Sequence, residues 1–544
     1  MKNFILLLLL TTTTITFAQQ DAWVYFKPKT NSEFYYNSPL EMLTQRAIDR
    51  RTNQNIPLDL KDIPIDKTYI SQIKSTNGIS VMAKSKWLNA IHVRGTQNAI
   101  NSLKSKSFVE KVDFANKNLN AANGTMPPVL TNASRTKKLA KKTNTAVDYN
   151  YGNSANQIEM LKGHLLHKQN YTGSGKIIAV LDAGFPGVNT IAPFKRLLGE
   201  GKILGGYNFV DRNDNFYTGD SHGTSVLSTM AGYEANKLVG TAPDASYYLF
   251  ITENVNAENP VEESLWVEAA ERADSLGVDV INSSLGYFDY DDTNYSYTYQ
   301  QMDGKTAFVS RGAEIACSRG MVVVISAGNS GDTVNPHIAV PADAPSALTI
   351  GAVNSSKMYA SFSSIGPSFD NRVKPEVMAQ GAATVLSNQY GSITTSNGTS
   401  FSGPIIAGMV ASLWQALPNK TSKEIKQIIL ESSDRFINPN AQYGYGIPDF
   451  NLAITKNLAT TDFNAKEANF YIYPNPTTDF VQVTITDGFT KGMLYFYNEL
   501  GQKVLEKELA SSSNFISLQS LRTGIYFYNF KTDTYTTSGK IIKQ

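Results

Sequence analysis

Between residues 146 and 456 the chain alternates continuous apolar runs with stretches of helical spacing. Lys176-Ile177-Ile178-Ala179-Val180-Leu181, Val278-Asp279-Val280-Ile281-Asn282 and Met321-Val322-Val323-Val324-Ile325 carry apolar residues on both parities, the mark of strands buried on two faces. Residues 261–275 and 307–319 read as helices between such runs. The pattern predicts an α/β domain, a doubly wound parallel sheet with helices on both faces. In such a sheet the sites lie beyond the carboxyl ends of the strands.

The flanks follow other rules. Over residues 19–145, Ala90-Ile91-His92-Val93-Arg94 and Val109-Glu110-Lys111-Val112 read as strands, with a helix over 97–103 between them. This predicts a small α+β unit. Residues 116–145 turn polar, with Lys137-Lys138 and Lys141-Lys142, as in a flexible linker that proteases cut readily. After a linker at 457–465, period-two alternation begins near residue 466: Phe480-Val481-Gln482-Val483-Thr484-Ile485, residues 493–497 and Gly524-Ile525-Tyr526-Phe527-Tyr528. That predicts a small all-β sandwich over 466–544.

Lys2, the apolar run 4–10 and Thr16-Phe17-Ala18 before Gln19-Gln20 have the form of a signal peptide over 1–18, so the chain is expected to be secreted. The run is far short of the roughly 20 residues that span a bilayer, and no other segment reaches that length. No cysteine follows the cleavage point, so a lipoprotein is not expected.

Composition narrows the classes further. At 544 residues the chain exceeds one ordinary core, and 42% apolar with 18% charged residues is globular. A net charge of +2 gives no basis for nucleic-acid or anionic-membrane partners held by bulk charge. A monomer is expected. The lone cysteine, Cys317, has no intramolecular disulfide partner and lies in a helical apolar pattern, which predicts a buried small hydrophobe.

Three segments of the middle domain offer an acid, a base and a nucleophile. Asp182 directly follows the strand 177–181. His222 opens His222-Gly223-Thr224-Ser225-Val226-Leu227, which continues as a helix. Ser400 lies in Asn397-Gly398-Thr399-Ser400-Phe401-Ser402-Gly403-Pro404, just before the helical run 405–417. A serine hydroxyl needs a base to take its proton, and the base needs a carboxylate to orient it and stabilise its cation. A helix amino terminus also favours negative charge developing at the serine.

These segments, in the order Asp, His, Ser, resemble the catalytic blocks of the subtilisin-like proteases, the subtilase family, over roughly residues 157–456. The resemblance implies a serine endopeptidase acting on protein or peptide substrates. It further implies that Ser284, Leu285 and Gly286, in Asp279-Val280-Ile281-Asn282-Ser283-Ser284-Leu285-Gly286, pair with extended substrate backbone. Asn329, in Ser326-Ala327-Gly328-Asn329-Ser330-Gly331, would be the oxyanion donor. Residues 19–145 resemble a subtilase propeptide. Tyr473-Pro474-Asn475-Pro476 and the chain end resemble the C-terminal sorting domain of the Bacteroidetes type IX secretion system, which makes that machinery a partner and the cell exterior or outer-membrane surface the destination.

The pattern also departs from the family. Ala183 stands where Thr or Ser is common, so one hydroxyl donor to Asp182 is missing; Ser225 replaces a frequent histidine, and Phe401-Ser402-Gly403-Pro404 replaces Met-Ala-Ser-Pro. The chemistry needs no cofactor, and no metal ligands are assigned. A structural calcium is considered on the oxygen-rich loop of Asp211, Asp214, Asn215 and Asp220, whose spacing matches no established site. An α/β-hydrolase esterase would need Gly-x-Ser-x-Gly and the order Ser, Asp, His, which this chain lacks. An inactive surface-binding protein on the same fold is the remaining alternative.

Overall fold

A computed structural model describes residues 19–29, 31–120, 148–460, 470–485, 491–509, 513–532 and 536–544. The signal segment 1–18 and the lysine pairs of the linker lie outside the described residues. The chain divides into two units, 1–457 and 458–544.

The first unit begins with the small N-terminal sheet. Its strands β1 (Gln19–Phe26), β2 (Ile79–Ser85), β3 (Ala90–Thr96) and β4 (Val109–Phe114) pair antiparallel in the order β2-β3-β1-β4. Helices α1 (Ser32–Asn37), α2 (Gln45–Asn53), α3 (Lys67–Lys74) and α4 (Gln97–Ser102) lie along the same stretch. Alternation in β1 divides its side chains between two cores. Ala22, Val24 and Phe26 pack with Ile73 of α3 and Ile100 of α4, whereas Trp23 and Tyr25 join Trp266 and Phe308 of the main domain.

In the main domain a seven-stranded sheet is built from β5 (Ile177–Asp182), β6 (Ile203–Asn208), β9 (Ser246–Ile251), β10 (Val280–Ser283), β11 (Val322–Ser326), β12 (Leu348–Val353) and β13 (Val377–Gln380). The short β7 (Tyr233–Glu234) and β8 (Leu238–Val239) form a separate pair. The order is β13-β12-β11-β10-β5-β9-β6, and every pairing is parallel. The three strands read from the sequence are in it. Four others, β6, β9, β12 and β13, escaped that reading.

Short helices α5 (Ala155–Glu159), α6 (Gly163–Lys168) and α7 (Lys195–Gly199) precede the two that carry site residues. These are α8 (His222–Ala231) and, further on, α11 (Thr399–Ala416), which pack together, α11 running over β5 and β10 to β13. On the other face lie α9 (Val261–Leu276) and α10 (Phe308–Ser318), whose apolar sides meet Ile177, Ala179 and Leu181 of β5. The hairpin β14 (Thr384–Ser387) with β15 (Ile393–Ser396), and helices α12 (Ser422–Glu431) and α13 (Phe450–Thr460), complete this stretch. Cys317 is a buried free thiol on α10, its pKa pushed up to about 12 by burial, as a small core hydrophobe should be.

The sequence placed the start of the last site helix at residue 405, yet α11 begins at Thr399 and contains Pro404. Proline has no N–H to return to the carbonyl four residues back, that of Ser400. Ser284 Oγ donates to that carbonyl instead (2.9 Å), so the helix passes through the proline with its backbone acceptor satisfied.

The second unit is all β. Strands β16 (Phe470–Tyr473), β17 (Phe480–Ile485) and β20 (Ser513–Ser517) form one sheet; β18 (Gly492–Tyr497), β19 (Lys503–Leu509), β21 (Gly524–Lys531) and β22 (Thr536–Lys543) form the other. Val481, Val483 and Ile516 from the first meet Leu494, Phe496, Phe530 and Ile541 from the second in one core, as expected of a sandwich.

Candidate active site

Asp182 closes β5 and is fully buried, and His222 opens α8. The segment between them folds back so that the His222 Nδ1–H donates to Asp182 Oδ1 (2.8 Å), an oxygen that also accepts the Ala183 N–H (2.8 Å). Asp220 Oδ1 accepts the main-chain N–H of His222 (2.8 Å), which fixes the start of α8. Burial opposes charging of the His222 imidazole, but the Asp182 carboxylate, with Asp220 and Glu253 behind it, outweighs that, so its pKa lies above the ordinary 6.5. The ring remains 31% exposed, open to a reaction partner.

Ser400 is the second residue of α11 and is 8% exposed. Its hydroxyl donates to Ser284 O (3.5 Å). The neighbouring Phe401 ring lies 5.8 Å, centroid to centroid, from the His222 ring, which sets the first turn of α11 beside the start of α8.

Asn329 follows β11 on a turn where Gly328 has φ +106°, a conformation that glycine tolerates; a Cβ there would also meet Ser364 Oγ at 2.8 Å. Asn329 Oδ1 accepts from Thr399 N–H (2.8 Å) and Thr399 Oγ1 (3.0 Å). With the oxygen held by two donors, the amide orientation is set and Nδ2 faces the Gly398 side of the loop that precedes Ser400. Ser284, Leu285 and Gly286 stand just beyond the carboxyl end of β10, increasingly exposed along the segment.

The departures noted in the sequence have structural counterparts. Asp182 Oδ2 is buried and makes no hydrogen bond among the described residues, and Ala183 beside it has no hydroxyl to supply one. Asp211 Oδ2 accepts from Asn208 Nδ2 (2.9 Å), and Asp220 is committed to His222. Among the described residues no group of three or more His, Cys, Asp or Glu could hold a metal ion.

Sequence reading missed Glu253. It follows β9 by two residues, and its Oε1 accepts from Tyr287 OH (2.7 Å) and Thr252 Oγ1 (2.9 Å). Burial drives its pKa up to about 8 against those two donors. Thr399, the brace of Asn329, was also missed. Neither has a local signal, since each acts through a partner distant in sequence.

The model of the "Subtilase family" matches residues 173–446, that of the "Peptidase S8 propeptide domain, Bacteroidota" residues 21–132, and that of the "Secretion system C-terminal sorting domain" residues 471–544. Subtilisin NAT of Bacillus subtilis subsp. natto and subtilisin E of Bacillus subtilis (strain 168) are each 31% identical over 366 residues, covering 65% of this chain and 86% of theirs. A solved structure of MycP3 protease from the type VII (ESX-3) secretion system is 18% identical, covers 58% of this chain and 93% of its own, and has a TM-score of 0.46.

Proposed function

The chain belongs to the subtilase family and is a serine endopeptidase, and on that premise we propose that Asp182, His222 and Ser400 are its catalytic triad. The observation that carries this reading is the 2.8 Å bond from His222 Nδ1 to Asp182 Oδ1, in a site where the His222 side chain stays partly exposed.

The reaction is acyl transfer. His222 Nε2 takes the Ser400 hydroxyl proton as Oγ attacks the scissile carbonyl carbon, and Asp182 holds the ring and stabilises the imidazolium. Asn329 Nδ2 and the Ser400 N–H donate to the oxyanion. The tetrahedral intermediate collapses with loss of the C–N bond, and His222 passes its proton to the leaving amine. Water, deprotonated by His222, then releases the acyl group from Ser400. Ser284, Leu285 and Gly286 receive the substrate backbone as an added strand. Every proton and charge in the cycle has a side-chain or main-chain partner, so no cofactor is needed. Asp220 anchors the main chain of His222 at the start of α8.

The chain carries a C-terminal sorting domain and is directed to the cell exterior or surface; among the described residues no helix is long and apolar enough to cross a membrane. We assign export across the inner membrane to residues 1–18, folding assistance and inhibition to 19–145, catalysis to 146–456 and sorting to 466–544, with the enzyme acting as a monomer. Two experiments test the whole. Casein hydrolysis by the wild type, abolished in Ser400→Ala, is the expected result for activity; hydrolysis that persists in Ser400→Ala overturns the triad. Loss of export on deletion of 466–544 is expected for sorting, and undiminished export overturns it.

A further inference from the structure

Lys117 lies three residues beyond β4, at the end of the described part of the N-terminal unit. Its Nζ donates to Tyr295 O (3.2 Å), Ser296 O (2.9 Å) and Gln301 Oε1 (3.2 Å), and it stands 3.9 Å from the centroid of the Tyr297 ring. The three N–H groups of an ammonium thus meet three oxygens and an aromatic face. A flat, five-donor guanidinium matches that set poorly.

Two walls of this cage, Gln301 and Tyr297, are held by the main domain's own bonds. Gln301 Oε1 also accepts the Thr298 N–H (2.9 Å). Tyr297 OH donates to Glu263 Oε1 (2.7 Å), which Tyr290 OH also reaches (2.8 Å), while Glu263 Oε2 takes the Val309 N–H (3.1 Å). None of these bonds involves the lysine. Besides Lys117, the N-terminal unit reaches the cage through the Asp21 N–H, which donates to Tyr295 OH (3.3 Å), whereas Gln301 and Tyr297 keep the main-domain bonds just described when that unit leaves.

It also lies in line with the active site. Tyr297 N–H donates to Phe288 O (2.8 Å) and Tyr290 N–H to Ser296 Oγ (3.0 Å), so the cage folds back on residues 288–290, just past Gly286. Ser284, at the start of that segment, touches the Ser400 hydroxyl. The four residues from Ser284 to Phe288, whose carbonyl holds Tyr297, span at most roughly 13 Å at about 3.3 Å per residue.

We propose that the Tyr295–Gln301 cage, vacated by Lys117, becomes a subsite for a lysine side chain of the substrate about four to six residues from the scissile bond. The proposal rests on the reading that residues 19–145 are removed. Lysine there binds by the same three oxygens and ring, and it raises kcat/KM mainly through KM because the contact is remote from the reacting atoms.

The test uses the processed enzyme secreted from the full chain and a set of peptides in which one lysine is moved through the six positions on each side of a single cleavage point, each beside its norleucine and arginine counterparts. The expected result is one position, about four to six residues out, where norleucine lowers kcat/KM by about tenfold, arginine serves less well than lysine, and the lysine-to-norleucine ratio falls toward one in Gln301→Leu. The peptide comparison leaves the protein unaltered, so it stands even if Gln301→Leu folds poorly. A flat scan with casein still cleaved overturns the cage alone. Failure to cleave casein at all overturns the peptidase reading and the cage with it.

Discussion

Ser284 Oγ donates to the main-chain carbonyl of Ser400 at 2.9 Å, the acceptor that Pro404 leaves without a helical partner. One buried hydroxyl thus joins the segment beyond β10 to the first turn of α11. Removing it strands a buried carbonyl, a loss of about 1–3 kcal/mol. In a Ser400→Ala background, which prevents self-digestion and keeps the carbonyl, Ser284→Ala is expected to lower urea stability by that amount. Adding Pro404→Ala restores an N–H for the same carbonyl, so the combined loss should be smaller than the sum of the two single losses. Strict additivity would show that the two groups do not share the acceptor.

The acid limb of activity should follow His222. The ring is active as a base only when neutral, and its pKa lies above 6.5, so kcat/KM is full above that raised value and lost as pH falls through it. Asp182 supplies the chief upward pull. Asp182→Asn should therefore move the acid limb to lower pH while reducing kcat by about 10⁴, because the imidazole is left in the wrong tautomer. A pH profile of wild type beside the variant checks both; an unmoved limb would separate the titrating group from His222.

Asn329→Ala removes one donor to the oxyanion, and the expected loss is about 10²–10³ in kcat, a range that itself comes from subtilisin. KM should change little, since the bond strengthens only as the oxyanion forms. Thr399→Val deletes one of the two donors that hold Asn329 Oδ1, and it should give a smaller loss in the same direction. Steady-state kinetics on one peptide distinguishes these cases, and a Thr399→Val loss larger than that of Asn329→Ala would assign Thr399 a separate role.

The parts of this molecule that were legible in the sequence are those encoded locally. Lys176 to Leu181 could be read as a strand because it is apolar at successive positions, and Asp182 at its end then had a place. His222 had a place because its segment opens a helix, and Ser400 because it stands just ahead of an apolar helical run. The strand Ser246–Ile251 was missed since its Ser-Tyr-Tyr start resembles a half-exposed surface, though Tyr247 is buried with its hydroxyl on Ala242 O. The start of α11 was misplaced because the bond that tolerates Pro404 comes from Ser284, 116 residues away. Helix α2 gave no signal at all: its buried residues include Arg50 and Arg51, which count as surface in any apolar pattern.

Those arginines lead to the last prediction. Arg50 and Arg51 project from the N-terminal unit into the main domain, where Asp274 Oδ1 pairs with Arg50 and Oδ2 with Arg51 Nη2 (2.6 Å). Arg51 also holds Asp62 (2.7 Å), and all four side chains are 4% exposed or less. Removing the Asp274 charge leaves Arg50 buried without a counter-charge and Arg51 with Asp62 alone, which costs about 3–5 kcal/mol. Asp274→Asn in the full Ser400→Ala chain is expected to lose that much at pH 7, read by urea unfolding. The acid dependence has a definite sign. Burial disfavours the Asp274 carboxylate, but Arg51 and Arg50 outweigh it and its pKa falls below 3.8, so its contribution is complete above pH 3.8 and fades only as pH drops through the lower native value. The deficit of Asp274→Asn should accordingly be constant from pH 7 to pH 5 and shrink only in stronger acid. A deficit that vanished near neutrality would mean that the network does not hold the two parts together through Asp274.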